Sequence, residues 1–73
     1  MNQNSIILNH LEEYGSLTAR EAYEKYGIMR LGARVHDLKE FGYPIVKTTE
    51  TGKNRYGRTV SFARYFYEGE RNG

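Results

Sequence analysis

Residues 29–41 read MRLGARVHDLKEF, and their apolar side chains have the spacing of a short helix. Leu31, Val35 and Leu38 fall at i, i+4 and i+7, which puts all three on one side of an α-helix. The remaining sides carry two arginines next to two of the smallest residues. We therefore expect a helix that buries one side. We expect its other sides to bring the helix backbone close to a large anion.

A second helix is predicted immediately upstream, over residues 19–26. Thr18 and Glu21 stand three residues apart, which is the spacing of a capping box at a helix start. Gly27 is expected to end this helix, and only Gly27 and Ile28 separate it from the next one. So short a connection makes the two helices cross steeply, as in a helix-turn-helix. Three residues are expected on its inward side: Ala22, Tyr23 and Tyr26.

A first helix is predicted over residues 5–14, because apolar residues recur there at helical spacing. Ser5 or Asn4 is expected to be its N-cap, and Gly15 is expected to follow its last turn. The next two residues, 16 and 17, then form a short extended link to the second helix.

Two stretches near the carboxyl end predict a β-hairpin. Residues 45–49 are β-branched, and residues 59–67 are rich in β-branched and aromatic side chains, as is typical of strands. Residues 50–57 between them are polar and contain two glycines, which predicts a loop. Aromatic residues occur on both sides of the second strand, so its alternation leaves open which side faces the helices. Arg64 interrupts one of these sides, and a β-bulge near it is one explanation.

Length and composition limit the functions to consider. Seventy-three residues without cysteine form one domain near the lower size limit for folding without disulfides or a zinc site. We expect this domain over residues 1–67 and a polar tail over 68–73. Neither histidine, His10 or His36, has partners for a metal or catalytic set, so no enzyme activity, cofactor, metal or small-molecule ligand is expected. Without a membrane-spanning run or a secretory signal, the protein is expected to be cytoplasmic.

Charge divides the chain into an acidic and a basic part, although the net charge is only +2. Residues 1–29 carry two cations against four acids, whereas residues 30–73 carry nine cations against five acids. Within residues 47–64 there are five cations, and Glu50 is the only acid. A basic segment of this kind attracts a polyanion. The alternative explanation is a hairpin that its charges keep soluble.

The predicted elements follow the order helix, short extended link, helix, tight turn, helix and hairpin, and residues 16–45 within them read SLTAREAYEKYGIMRLGARVHDLKEFGYPI. This stretch resembles the helix-turn-helix core of small winged-helix proteins, many of them phage or prophage encoded. It is also similar to the amino-terminal domains of the biotin and arginine repressors. The likeness is best where Leu38, Phe41 and Gly42 lead into the hairpin, and it covers about residues 5–66. It implies an α+β winged helix-turn-helix with three helices followed by a two-stranded β-hairpin wing.

The resemblance implies double-stranded DNA as the partner. In such families the third helix lies in the major groove and the wing touches the backbone or the minor groove. We therefore expect residues 29–41 in the major groove and the basic wing, residues 50–58, beside it, in a small transcriptional regulator or architectural factor. The candidate contact residues are Arg20 on the second helix, Arg30, Ala33, Arg34 and His36 in the third, and Lys53, Arg55 and Arg58 in the wing.

Some of these assignments have a structural alternative. Arg34 could instead form an ion pair with one of three acids, Glu12, Glu13 or Asp37, and the wing could be a disordered basic loop. Gly32 costs a helix about 1 kcal/mol relative to alanine, and close approach to DNA or to another helix would each explain it. Residues 29–41 contain no Asn, Gln, Ser or Thr, side chains that often read adenine or hold phosphates. The third helix therefore has few residues with which to read a sequence.

A different class of function stays open beside DNA binding. A winged helix can bind another protein, and a phage-type protein of this size could modulate a host factor. Tyr65, Phe66 and Tyr67 would be the anchors of such an interface if they were exposed. RNA is a third candidate partner. Because a lone module contacts few base pairs, useful affinity requires a homodimer, repeated sites or a protein partner.

Overall fold

The computed structural model describes residues 2–69, which form three helices and a three-stranded antiparallel sheet. In chain order the elements are α1 (Gln3–Tyr14), β1 (Ser16–Thr18), α2 (Ala19–Tyr26), α3 (Leu31–Glu40), β2 (Ile45–Lys53) and β3 (Thr59–Tyr67). This order confirms the predicted α+β winged helix-turn-helix. Residues 70–73 of the predicted polar tail lie outside the described part of the chain.

Helix α1 begins two residues earlier than predicted, and its predicted N-cap is wrong. Asn2 is the N-cap, because its side-chain oxygen accepts a hydrogen bond from the Ser5 backbone N–H at 2.8 Å. Asn4 and Ser5 therefore lie inside the first turn. The apolar stripe starts only at Ile6, so the hydrophobic pattern carried no sign of this polar first turn.

The capping box at the start of α2 is confirmed. The Thr18 backbone N–H donates to a Glu21 carboxylate oxygen at 2.9 Å, and the Glu21 N–H donates to the Thr18 hydroxyl at 3.2 Å. Gly27 ends the helix in the left-handed conformation with φ of 68°. Its N–H donates to the Tyr23 carbonyl at 2.9 Å. The chain then turns sharply and buries Ile28, as the helix-turn-helix prediction requires.

The predicted inward side of α2 is correct only for Ala22, which is fully buried. Tyr23 is wrong, since 58% of it is exposed, and Tyr26 lies at the rim with 38% exposed. This short helix meets the core through its smallest inward residue, so the larger rings remain at the edge. The Tyr26 hydroxyl instead lies 2.6 Å from Nδ1 of His10, a buried residue of α1. Burial lowers the pKa of His10, and nearby Lys25 lowers it further.

Helix α3 is shorter than the predicted 29–41 but buries the predicted residues. Leu31, Val35 and Leu38 are all at most 3% exposed. Arg30 takes the N-cap position with a non-helical backbone, and Met29 lies in the preceding turn with 78% of it exposed. The nine buried hydrophobic residues form one cluster from all three helices, β1, β2 and the turn: Ile7, Leu11, Leu17, Ala22, Ile28, Leu31, Val35, Leu38 and Ile45.

The sheet has the strand order β1-β3-β2, with one strand more than the predicted hairpin. The extended link became β1, whose Leu17 is the Cα partner of Tyr65 in β3. Strand β2 continues four residues beyond its predicted end, which shortens the predicted loop 50–57 to a turn over 54–58. The register between β2 and β3 runs without interruption from Ile45↔Tyr67 to Lys53↔Thr59, so the suggested bulge near Arg64 is wrong.

The question of which side of β3 faces the helices has a definite answer. Tyr65 and Tyr67 pack against the core, so the side that they share is the inner side of the hairpin. The opposite, outer side holds Arg64, which explains why a cation interrupts its apolar residues. The Arg64 guanidinium lies 2.9 Å from a Glu50 carboxylate oxygen in β2 and 3.5 Å from a Glu21 carboxylate oxygen in α2. Arg64 thus joins the outer side of the hairpin to the first turn of α2.

Candidate nucleic-acid interface

One flank of α3 holds Arg34 in an ion pair within the helix. Its Nη2 lies 3.3 Å from a carboxylate oxygen of Asp37, and both side chains are about half-exposed. The Arg34 Nε is buried and has no hydrogen-bond partner among the described residues. Of the three acids considered from the sequence, Asp37 is the partner in the structure. Arg34 could contact DNA only by sharing its guanidinium with Asp37 or by leaving it.

The outermost side of α3, opposite its buried residues, carries Ala33, His36 and Glu40 and is only partly open. His36 is exposed, but its Nε2 lies 2.7 Å from a Glu40 carboxylate oxygen one turn later. Ala33 is half-buried rather than fully exposed. Arg30, at the start of the helix, is exposed and forms no ion pair within residues 2–69. Arg30 is thus the predicted cation of this segment that is free to take a new partner.

The other flank of α3 is formed by Gly32, and a residue of the sheet approaches it. Gly32 is exposed, and the Tyr65 hydroxyl lies 3.5 Å from the point that a Cβ at this position would occupy. A distance of 3.5 Å is an ordinary contact, so an alanine would fit. The reason for a glycine here is therefore not the packing of Tyr65 against the helix. Sequence reasoning looked for DNA or another helix beside Gly32 and missed the strand residue.

The wing ends in an ordered turn rather than a disordered basic loop. The Asn54 side-chain oxygen accepts hydrogen bonds from the backbone N–H groups of Tyr56 at 2.9 Å and Arg58 at 3.1 Å. The Gly57 N–H also donates to the Asn54 carbonyl at 3.0 Å. These bonds hold the turn that carries the predicted cations Arg55 and Arg58. Both side chains are exposed, as is Lys53 at the end of β2.

The cations of the chain divide into paired and unpaired groups. Arg20, Arg34 and Arg64 each lie within ion-pair distance of a carboxylate. In contrast, the wing cations Lys53, Arg55 and Arg58 take part in no ion pair in the part of the chain that the structure describes. The charge count over residues 47–64 therefore includes one cation, Arg64, that is already paired and is not available to a partner. What remains available is concentrated at the turn.

A groove of about 410 Å³ brings one predicted cation of α2 to the base of the wing. Arg20 and Lys53 both line it, and Gly52, Val60 and Phe62 of the outer side line it too. Arg20 is held by Glu24, with Nε 2.9 Å from the carboxylate oxygen, but its side chain is 87% exposed. The structure thus places Arg20 beside the wing rather than beside Arg30.

The inner side of the hairpin carries a row of polar residues that sequence reasoning did not select. The register pairs Lys47 with Tyr65, Thr49 with Ala63, Thr51 with Ser61 and Lys53 with Thr59, and Cα partners lie on the same side of a sheet. Hydroxyl and amide groups were sought only within residues 29–41, where none occur. The period-two alternation of β2 and β3 was the signal that could have found them.

The aromatic run at the end of β3 does not form an exposed anchor. Tyr65, Phe66 and Tyr67 are all half-buried, and Tyr65 and Tyr67 pack against the core. The condition set for a protein-binding interface at these three residues is therefore not met. Two further properties concern residues 2–69. None of their helices has the length and apolar character to cross a membrane, and no three His, Asp or Glu side chains gather as a metal site.

Comparison with known proteins identifies one family. The winged helix-turn-helix domain family matches residues 2–68, which is nearly all of the chain. No curated protein and no solved structure matches the chain significantly. A winged helix-turn-helix typically binds DNA rather than catalysing a reaction, so the match indicates DNA binding as the general function.

Proposed function

The chain belongs to the winged helix-turn-helix domain family, and on this basis we propose that it binds double-stranded DNA through α3 and the wing. Helix α3 enters the major groove, and residues 50–58 lie on the flanking backbone or in the minor groove. The protein acts as a small transcriptional regulator or architectural factor. The observation that carries this proposal is the ordered turn with three cations, Lys53, Arg55 and Arg58, that form no ion pair within residues 2–69.

The wing supplies most of the affinity in this proposal. Each phosphate that a cation neutralises releases counterions, which favours binding at low salt. The Asn54 hydrogen bonds order the turn before DNA arrives, so less conformational entropy is lost on binding. Arg20 adds a phosphate contact at the base of the wing, because its exposed side chain can keep Glu24 and reach outward.

In this proposal, helix α3 fits into the major groove and distinguishes only a few base pairs. Arg30 is the residue best suited to a guanine edge, since arginine reads guanine N7 and O6 and this one has no ion-pair partner among the described residues. Arg34 contributes less, because Asp37 already occupies part of its guanidinium. Ala33 and His36 face the groove floor, where the small Ala33 permits close approach. The protein therefore discriminates weakly between sequences.

Duplex binding measured by fluorescence anisotropy over a salt series tests this proposal. Phosphate contacts from the three wing cations and Arg20 predict a slope of about −3 to −4 for the logarithm of the binding constant against the logarithm of salt concentration. Circular dichroism on the same samples shows that the protein is folded. Folded protein without measurable duplex binding at low salt contradicts the proposal.

A further inference from the structure

We propose that the Tyr65 hydroxyl, which β3 delivers to the exposed surface of α3 beside Gly32, donates a hydrogen bond to a phosphate oxygen of bound DNA. The inference rests on the proposed DNA binding and adds a contact from the body of the sheet. It gives a reason for a small residue at position 32, beside the hydroxyl.

The position of Tyr65 combines a packed ring with a hydroxyl that lies beside an exposed glycine. The ring is half-buried and packs against the core, so its orientation is set before any ligand binds. The hydroxyl emerges at Gly32, which is exposed, and lies 3.5 Å from the point that a Cβ there would occupy. A side chain longer than a methyl group at position 32 would lie over the hydroxyl. Glycine keeps it accessible from the surface of α3.

The Tyr65 hydroxyl also lacks a hydrogen-bond partner in the part of the chain that the structure describes. No hydrogen bond joins it to another of residues 2–69. Phenolic hydroxyl groups are strong donors and usually find a partner when their ring is packed. An acceptor from outside the chain therefore fits this position.

The side of the hairpin that carries Tyr65 has side chains that suit a phosphate backbone. Lys47 is the Cα partner of Tyr65 on the inner side of the hairpin, is exposed, and forms no ion pair among the described residues. Thr49, Thr51 and Ser61 continue the same side toward the wing turn. These hydroxyl groups supply, from the sheet, the phosphate-binding side chains that α3 itself lacks.

The flank position favours a phosphate over a base edge. When a helix lies in the major groove, its outermost residues meet base edges, whereas its flanks face the walls of the groove, where the phosphates lie. Gly32 belongs to a flank, and the outermost residues are Ala33 and His36. A hydroxyl beside Gly32 is therefore directed at the backbone and carries no sequence preference.

The test compares Tyr65→Phe with the matched change Tyr67→Phe in the same strand and on the same side. Both variants keep the ring that packs against the core, so both should fold. Tyr65→Phe should weaken binding to every duplex by about tenfold, the effect of losing a hydrogen bond to a charged group. The salt slope should not change, because a neutral hydroxyl releases no counterions, whereas Lys47→Gln should reduce the slope by about 0.9. Tyr67→Phe should bind as the wild type does.

A second measurement uses the unaltered protein. With tyrosines labelled at ¹³Cζ, the Tyr65 signal should shift when duplex is added, and the Tyr67 signal should not. Wild-type affinity in Tyr65→Phe together with an unmoved Tyr65 signal overturns the inference and leaves DNA binding intact. A loss confined to one duplex sequence also overturns it, since that result assigns the hydroxyl to a base. Absence of duplex binding by the wild type overturns the proposed function itself.

Discussion

Helix α3 and the wing use their charged residues in different ways. In α3, Arg34 is paired with Asp37 and His36 with Glu40, so two of the predicted contact residues already have partners within the helix. The wing cations Lys53, Arg55 and Arg58 have no ion-pair partner among residues 2–69 and lie on or next to a turn ordered by Asn54. We propose from this difference that the wing provides electrostatic attraction to DNA, while α3 provides a shape that fits a groove. The difference becomes clear only when pairing is known, because residues 29–41 and residues 50–58 have the same number of Lys and Arg residues, three each.

The largest expected effect comes from removing the wing cations together. Lys53→Ala, Arg55→Ala and Arg58→Ala in one variant should lower affinity for all duplexes on the order of 100-fold at 0.1 M salt, because three phosphate contacts are lost. Anisotropy with several unrelated duplexes measures this. Lys25→Ala is the control, since Lys25 lies on α2 and near the Tyr14 ring instead. An affinity close to that of the wild type would show that the wing is not the main electrostatic contact.

The two arginines of the α3 region should differ in their effect. Arg30→Ala should reduce the ratio of affinities between preferred and unrelated duplexes by about tenfold, as expected for the loss of one guanine contact. Arg34→Ala should change this ratio less, because Asp37 holds its guanidinium. Competition binding with pairs of duplexes measures both ratios. A larger loss for Arg34→Ala would mean that the ion pair opens on binding, and that α3 reads sequence with Arg34.

The shape of α3 can be tested at Gly32 by setting stability against binding. Gly32→Ala should raise the free energy of unfolding by about 1 kcal/mol, because alanine favours a helix and its Cβ has room beside Tyr65. The same variant should bind duplexes a few-fold more weakly, since the methyl group holds the helix away from DNA. Urea denaturation and anisotropy measure the two quantities. Greater stability with unchanged affinity would show that a glycine at position 32 is not needed for the helix to approach DNA closely.

The smallest effect concerns pH and lies away from both regions. Burial keeps the pKa of His10 below its usual value of 6.5 in the folded protein, so the unfolded chain takes up the proton more readily. The contribution to stability is complete above pH 6.5 and declines as pH falls through the folded pKa. Urea denaturation at pH 8, 7, 6 and 5 should show this decline. It should persist in His36→Gln and shrink in His10→Gln, and a decline that His10→Gln leaves unchanged must have another origin.

Local signals allowed much of the fold to be predicted. The spacing of Leu31, Val35 and Leu38 fixed the buried side of α3, and Thr18 with Glu21 located the start of α2. Such signals involve residues within one or two turns of each other. Asn2 was missed as the N-cap of α1 because the first turn that follows it is polar. The residues around Asn2 therefore give no change in hydrophobicity that would mark the start of the helix.

The parts of the candidate site that escaped prediction depend on pairing between distant segments. The approach of Tyr65 to Gly32 requires the order of three strands and the register of β3. The ion pairs of Arg64 with Glu21 and Glu50 depend on the same register. A count of charges in the sequence therefore included Arg64 wrongly among the cations that are available to a partner. For Arg34, the sequence predicted only that the ion-pair partner is one of three acids. Side-chain geometry decides which of the three it is.

The different roles of the wing and α3 are tested most directly by comparing how steeply the binding constants of their variants fall with salt concentration. The wing variant lacking Lys53, Arg55 and Arg58 is measured beside Arg30→Ala/Arg34→Ala on one duplex, from low to moderate salt. We predict that the wing variant loses about 2.7 of the slope and the α3 variant less than about 0.9, because Arg30 contacts a base edge and Asp37 holds Arg34. Equal losses, or a larger loss in the α3 variant, would contradict the account.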